Sequence, residues 1–305
     1  MQRFIDSNIL FPLSQMGFAV NCTYALCPRL NKWNSIPEFK EGDSLFINWE
    51  WPQIESMLCT ICDHLKASSR HIYFFIMKEP VVQWSIIEKL IPYTLGIFMQ
   101  NNIYNHPLCH FMPIGIRDGE ESFSEHKGFS QKYLLDEGEI QREKTIQCLL
   151  CFTLDQHSPP DRVKCNQVLQ SAPFITNLNT QSWDEQPSIH CGKVPVWINY
   201  QKTHESRYTL CPAGRGTDTH RFFEAIYLDS IPVVTKTNTA FDQLYEFFPC
   251  LIINDWNEVT REFLDKELKS QTELMRLWKS SHPDWWYNLD RLIDEILQKS
   301  SPTAI

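Results

Sequence analysis

Short apolar runs recur along the chain, spaced by longer amphipathic stretches. "SLFINW" (44–49) reads as a strand. The next segment, "WPQIESMLCTICDHLKASS", repeats Ile54, Met57, Leu58, Ile61 and Leu65 at helical spacing. "HIYFFIM" (71–77) is an aromatic and β-branched run of the kind buried on both faces of a parallel sheet. A helix in "VVQWSIIEKLI" and short strands in "LGIFM" and "HFMPIG" complete this series. Residues 118–144 are more charged and contain no strong strand, so they read as a connection, partly helical. The pattern then restarts with "TIQCLLCFTL" (145–154), "PFITNL" (173–178), "RYTLCP", "IPVV" and "CLIIND". Strand–helix alternation of this kind predicts parallel sheets. The expectation is an α/β chain of two Rossmann-like domains, 1–140 and 141–305, facing across a cleft. Near the end, Trp286, Leu289, Ile293, Ile296 and Leu297 mark an amphipathic closing helix.

Composition narrows the classes. With 305 residues, 43% apolar and 21% charged, the chain has ordinary globular make-up and length for about two domains. A formal net charge of −9 argues against a nucleic-acid backbone as main partner. The 11 cysteines are odd in number and scattered, which fits a reducing compartment better than a disulfide framework. The start "MQRFIDSNILFPL" holds no signal-like apolar run, and no window offers the ~18 apolar residues of a membrane span. A cytoplasmic location is the expectation.

Glycine is scarce, 10 in all, yet Gly214 and Gly216 fall together in "RYTLCPAGRGTDTHRFFEAIYLDSIPVV" (207–234). The segment reads as strand 207–212, a turn, an N-cap at Asp218 or Thr219, a helix to about Asp229, and a further strand. Phe222, Ala225 and Ile226 take the helix's core face. That unit sets a helix N-terminus at the carboxyl edge of a parallel sheet, where open α/β sheets bind ligands and where backbone N–H groups favour an anion. Arg221 adds a planar cation suited to phosphate oxygens, and Arg215 a second. Glu224, one turn on, suits a ribose hydroxyl. A capped surface helix with an Arg–Glu pair accounts for Asp218 but not for the two glycines, the second arginine and the sheet-edge position together.

This segment resembles the donor-binding region of exostosin-like glycosyltransferases, in which a strand ending in Cys-Pro leads to a Gly-rich loop, Thr–X–Arg, Glu-Ala and an Ile-Pro-Val-Val strand. "FFPCLIINDWNEV" also resembles that family, and the likeness covers about the last 160 residues best. It implies a GT-B fold, with an N-terminal acceptor domain and a C-terminal domain holding a nucleotide-sugar donor. Metal and cofactor are not needed in such members, because helix dipole and basic side chains offset the diphosphate charge. The implied donor-binding set is Arg162, Gly214, Arg215, Gly216, Asp218, Thr219, His220 and Glu224, with Arg221 on the pyrophosphate. Asp229 departs from the small residue or Gly usual at that position.

Sugar transfer also needs a base for the acceptor hydroxyl. Glu79 follows the buried strand 71–77 and precedes Pro80. It resembles the Glu-Pro proposed as base in exostosin-like and fucosyltransferase-like enzymes. Capping of the next helix is its plainer reading. Asp118 and Glu50 are weaker candidates, and Arg117 is a candidate for the same cleft. The implied partners are a nucleotide-sugar donor and a glycan acceptor. A nucleotide- or glycan-binding α/β protein without turnover stays open, whereas an NAD enzyme is disfavoured because GxGxxG is lacking. "CTIC" (59–62), beside His64, lies in an amphipathic helix and reads as structural thiols, and neither an HExxH motif nor a Walker motif is present.

Overall fold

The computed structural model describes residues 22–26, 36–48, 54–77, 81–116, 128–152, 154, 158–180, 190–191, 194–214, 216–285 and 288–300. Contacts divide the chain into two compact units. The first comprises Met1–Ile114, Thr239–Phe241 and Asp284–Ile305, and the second Gly115–Asn238 and Asp242–Pro283. Among the described residues no helix is long and apolar enough to cross a membrane.

The first unit holds a five-stranded parallel sheet in sequential order: β1 (Tyr24–Leu26), β2 (Ser44–Asn48), β3 (Ile72–Met77), β4 (Thr94–Met99) and β5 (Cys109–Phe111). Helices α1 (Ile54–Ser68) and α2 (Trp84–Leu90) connect its strands. The period-2 alternation of strands sorts the side chains between two faces. Leu45, Ile47, Ile72, Phe74, Ile76, Ile97 and Met99 share one core with Ile54, Leu58, Ile61 and Leu65 of α1. Cys62 packs against this core, as expected of a structural thiol, whereas Cys59 is exposed and does not pack as that reading expects.

The alternate residues form an aromatic row on the other face. Phe75 and Phe98 stack at 4.7 Å, and His110 lies 5.0 Å from Phe98. The closing helix, α9 (Leu289–Ser300), belongs to this unit and touches β5, burying Leu292, Ile293 and Ile296. Its amphipathic pattern announces a helix that covers a sheet but does not say which one, so sequence order alone grouped it with the second half.

His110 is 3% exposed, and burial lowers its pKa to about 4 from the ordinary 6.5. The unfolded chain takes up this proton near pH 6.5 and the folded chain only near 4, so stability falls as pH drops through that window. His110→Phe is expected to remove this dependence, on the order of 3 kcal/mol at its lower end, in urea titrations at pH 7 and pH 4.5. An unchanged pH dependence in the variant would assign acid sensitivity elsewhere.

The second unit begins with α3 (Gly128–Gly138) and contains a second five-stranded parallel sheet. Its strands are β6 (Ile146–Leu150), β7 (Ile175–Asn177), β10 (Ser206–Leu210), β11 (Ile231–Thr235) and β12 (Leu251–Ile253), in the order β12-β11-β10-β6-β7. A small antiparallel pair, β8 (His190–Cys191) and β9 (Val194–Pro195), stands apart. The helices are α4 (Pro160–Leu169), α5 (Val196–His204), α6 (His220–Tyr227), α7 (Asp242–Phe247) and α8 (Arg261–Ser281).

Helix α6 is short and is fixed by its apolar side. Phe222 meets Tyr245 at 5.5 Å, Phe223 meets Phe248 at 5.3 Å, and Phe248 meets Trp278 at 5.3 Å. Such pairs add ~0.5–1.5 kcal/mol each beyond area burial. The helix ends at Tyr227, two residues earlier than the pattern suggests, because Asp229 turns to φ +56°. That left-handed conformation is one glycine adopts most readily; here Asp occupies it, paired with Lys279. Lys144 donates to the carbonyls of His204 (2.6 Å) and Leu228 (3.1 Å), closing the C-terminal ends of α5 and α6.

Candidate functional site

In the second sheet the chain runs outward from β6 to β7 on one side and from β10 through β11 to β12 on the other. The strand order therefore reverses between β6 and β10, and ligands of open α/β sheets enter the crevice at such a reversal, beyond the carboxyl ends of the strands. The loops that leave these two strands carry the chemistry.

Phe152, just past β6, is 1% exposed. Two guanidinium groups converge on its ring, Arg162 at 5.7 Å and Arg221 at 5.6 Å from the centroid. Each gains from the ring quadrupole, but two like charges above one phenyl group also favour an anion that separates them. Arg162 comes from the first turn of α4 and Arg221 from the first turn of α6. Arg221 also pulls against the burial that raises the Cys211 thiol to about 12, which leaves Cys211 an inert packing group.

The glycine loop follows β10. Ala213 N–H donates to Asp161 Oδ2 at 2.9 Å, and Ala213 C=O accepts from Arg162 Nε at 3.1 Å. Gly214 N–H then donates to Gly216 C=O at 2.8 Å, closing a tight turn. A Cβ on Gly214 would meet Arg162 Nη2 at 2.9 Å and Thr219 Cγ2 at 3.3 Å. Glycine is needed here for room. Gly214→Ala is expected to displace the Arg162 guanidinium and weaken anion binding about tenfold while melting close to the wild type, as read by pyrophosphate titration and thermal denaturation. Unchanged affinity would show that the close approach of Arg162 does not matter.

Thr219 is the N-cap of α6 by position, with extended backbone and no side-chain capping bond. Asp218 is 3% exposed and lies close enough to the buried Tyr245 to help raise its pKa. His220 Nδ1 sits 2.9 Å from Gly115 C=O, so Nδ1 donates and, in the neutral ring, the lone pair lies on Nε2. Glu224 is 4% exposed and accepts from Tyr200 Oη of α5 at 3.1 Å. Gly214, Gly216 and Thr219 thus belong to one loop, which Arg162 meets at Ala213 and Gly214, while Arg221 shares Phe152 with Arg162 and Glu224 is buried against Tyr200. Arg215 and Glu79 lie outside the described residues, as do Arg117, Asp118 and Glu50.

Asp161 is a member of this site that sequence reasoning missed. Its Oδ1 accepts from Thr235 Oγ1 at 3.0 Å and from Trp256 Nε1 at 2.7 Å. One carboxylate therefore ties the ends of β10 and β11 and the turn after β12. Trp256 follows Asp255, which accepts from Asn257 N–H and pairs with Lys164 of α4. Next to the loop a polar cavity of about 310 Å³ opens at the same sheet edge, lined by Lys164, Thr217, Lys236, Thr237 and Asn254 among others. In the sequence Asp161 looks like any acidic residue of a first helical turn, and Phe152 is hidden in an apolar run. Among the described residues no group of three or more His, Cys, Asp or Glu stands ready to hold a metal ion.

No protein-family model matches this chain, and no curated protein matches it in sequence. Among solved structures, one similar to it is the crystal structure of Anabaena Alr3699/HepE in complex with UDP-glucose, at 8% identity and a TM-score of 0.42, covering 85% of this chain and 78% of that one.

Proposed function

We propose that this chain is a glycosyltransferase that moves a sugar from a nucleotide-sugar donor to a glycan acceptor, with inversion and without a metal. The observation that carries the reading is the pair of guanidiniums, Arg162 and Arg221, gathered on Phe152 beside the Gly214 turn and the start of α6. That grouping offers a leaving diphosphate two planar cations and the backbone N–H groups of a helix start. The motif order 207–234, which resembles exostosin-like enzymes, supports the same reading.

In the proposed reaction the acceptor hydroxyl loses its proton to Glu79 as its oxygen bonds to the anomeric carbon. The bond from that carbon to the diphosphate oxygen breaks, and its electron pair leaves with the nucleotide. Arg221 and Arg162 meet the charge that develops on the departing phosphate, which is where preorganised cations lower a barrier most. The fold expected for this chemistry is GT-B, with the donor on the second unit and the acceptor on the first.

Thermal-shift titration with UDP-, GDP- and dTDP-sugars, followed by donor hydrolysis and transfer assays, tests the proposal. Stabilisation by one nucleotide class together with sugar release supports it. Stabilisation without hydrolysis or transfer identifies a binding protein instead, and no stabilisation by any of the three contradicts both readings.

A further inference from the structure

We infer that Asp161 is a positioning residue that sets the shape of the anion-binding turn by clamping the Ala213 peptide together with its neighbour Arg162. The inference rests on the proposed diphosphate site and adds how that site is held. Consecutive residues of the first turn of α4 grip the two polar groups of one residue: Asp161 Oδ2 takes the Ala213 N–H (2.9 Å) and Arg162 Nε gives to the Ala213 C=O (3.1 Å). A residue held at its N–H and its C=O has both flanking peptide planes fixed, and Gly214, whose own N–H closes the turn onto Gly216, follows directly.

The clamp is braced from behind. The other oxygen of Asp161 accepts from Thr235 and Trp256, so the carboxylate is anchored to two further elements of the sheet edge. Three donors on two oxygens also give the arrangement a direction. Asparagine at 161 keeps the size of the side chain but has one acceptor oxygen. That oxygen satisfies two donors when it faces Thr235 and Trp256, which turns the NH₂ group toward the Ala213 N–H, donor against donor. Asp161→Asn therefore opens the clamp selectively. It leaves Arg162 pulling on the Ala213 carbonyl alone, and the guanidinium that should meet the anion loses its fixed stem.

The test uses the full chain with inorganic pyrophosphate as probe, titrated calorimetrically, and amide hydrogen exchange at Ala213 as a second readout that needs no ligand. Asp161→Asn is compared with Tyr208→Phe, which removes a buried hydrogen bond from Tyr208 of β10 to Leu264 C=O of α8 without touching the loop. Expected are at least tenfold weaker pyrophosphate binding and at least tenfold faster Ala213 exchange in Asp161→Asn. Tyr208→Phe should lower the melting temperature with both readouts near wild type. Equal loss of affinity in the two variants would make Asp161 merely structural and overturn the inference. Unchanged Ala213 exchange in Asp161→Asn would overturn the clamp whatever binding does. Wild-type protein that binds no pyrophosphate while the exchange responds would overturn the diphosphate site, and the positioning role with it.

Discussion

Arg221→Ala is expected to lower sugar transfer by more than tenfold, and by as much as ~1000-fold, in a protein that still folds. The size follows from the role. A guanidinium aimed at a charge that appears only as the diphosphate leaves acts mainly on the transition state, and removing one such donor costs ~10²–10³ in rate. Arg221 is half-buried over Phe152, with Cys211 and Cys165 close enough to feel its charge. Its loss therefore removes a cation from over Phe152 while the apolar side chains of α6, Phe222, Phe223, Ala225 and Ile226, stay packed. Melting should move by only a few degrees. Arg221→Lys should recover part of the rate at most, because a point charge replaces a planar fork. Steady-state kinetics read the effect as a fall in kcat/KM for the donor, and near-normal turnover in Arg221→Ala would remove the mechanism.

Glu79→Gln is the second large effect. Glutamine keeps size and polarity but cannot accept a proton, so in the proposed reaction the acceptor hydroxyl would attack without its base. General-base removal costs ~10²–10⁴ in rate. The proposed donor site lies on other residues, and the variant should bind nucleotide-sugar as the wild type does. The expected signature is thus a collapse of kcat at unchanged donor affinity. A helix-capping Glu79 would give the opposite pattern, with a loss of stability and little change in kcat.

Much of the frame was legible in the chain. The runs at 44–49, 71–77, 145–154 and 207–212 each supply a strand, Ser44–Asn48, Ile72–Met77, Ile146–Leu150 and Ser206–Leu210, since β-branched and aromatic runs of five or six residues suit a parallel sheet covered on both faces. Helix α1 keeps its expected core positions Ile54, Leu58, Ile61 and Leu65, with Met57 at the margin. Local signals of this kind lie within one element. What the sequence did not reveal is contact between distant elements. Phe152 and Arg221 stand 69 positions apart and meet only because β6 and β10 are neighbours. Asp161 reaches Ala213, Thr235 and Trp256 across 52, 74 and 95 positions. Glu224 shows a related limit. Its spacing from Arg221 suits a ribose contact, and its bond to Tyr200 is a partner no spacing rule could name.

Hydrogen exchange measured with and without saturating UDP, GDP and dTDP would locate the ligand directly. The account predicts that one of the three slows exchange in peptides covering 151–162 and 211–224, and that the slowing is lost in Arg221→Ala. Protection confined to other segments, or retained in full without the Arg221 guanidinium, would contradict it.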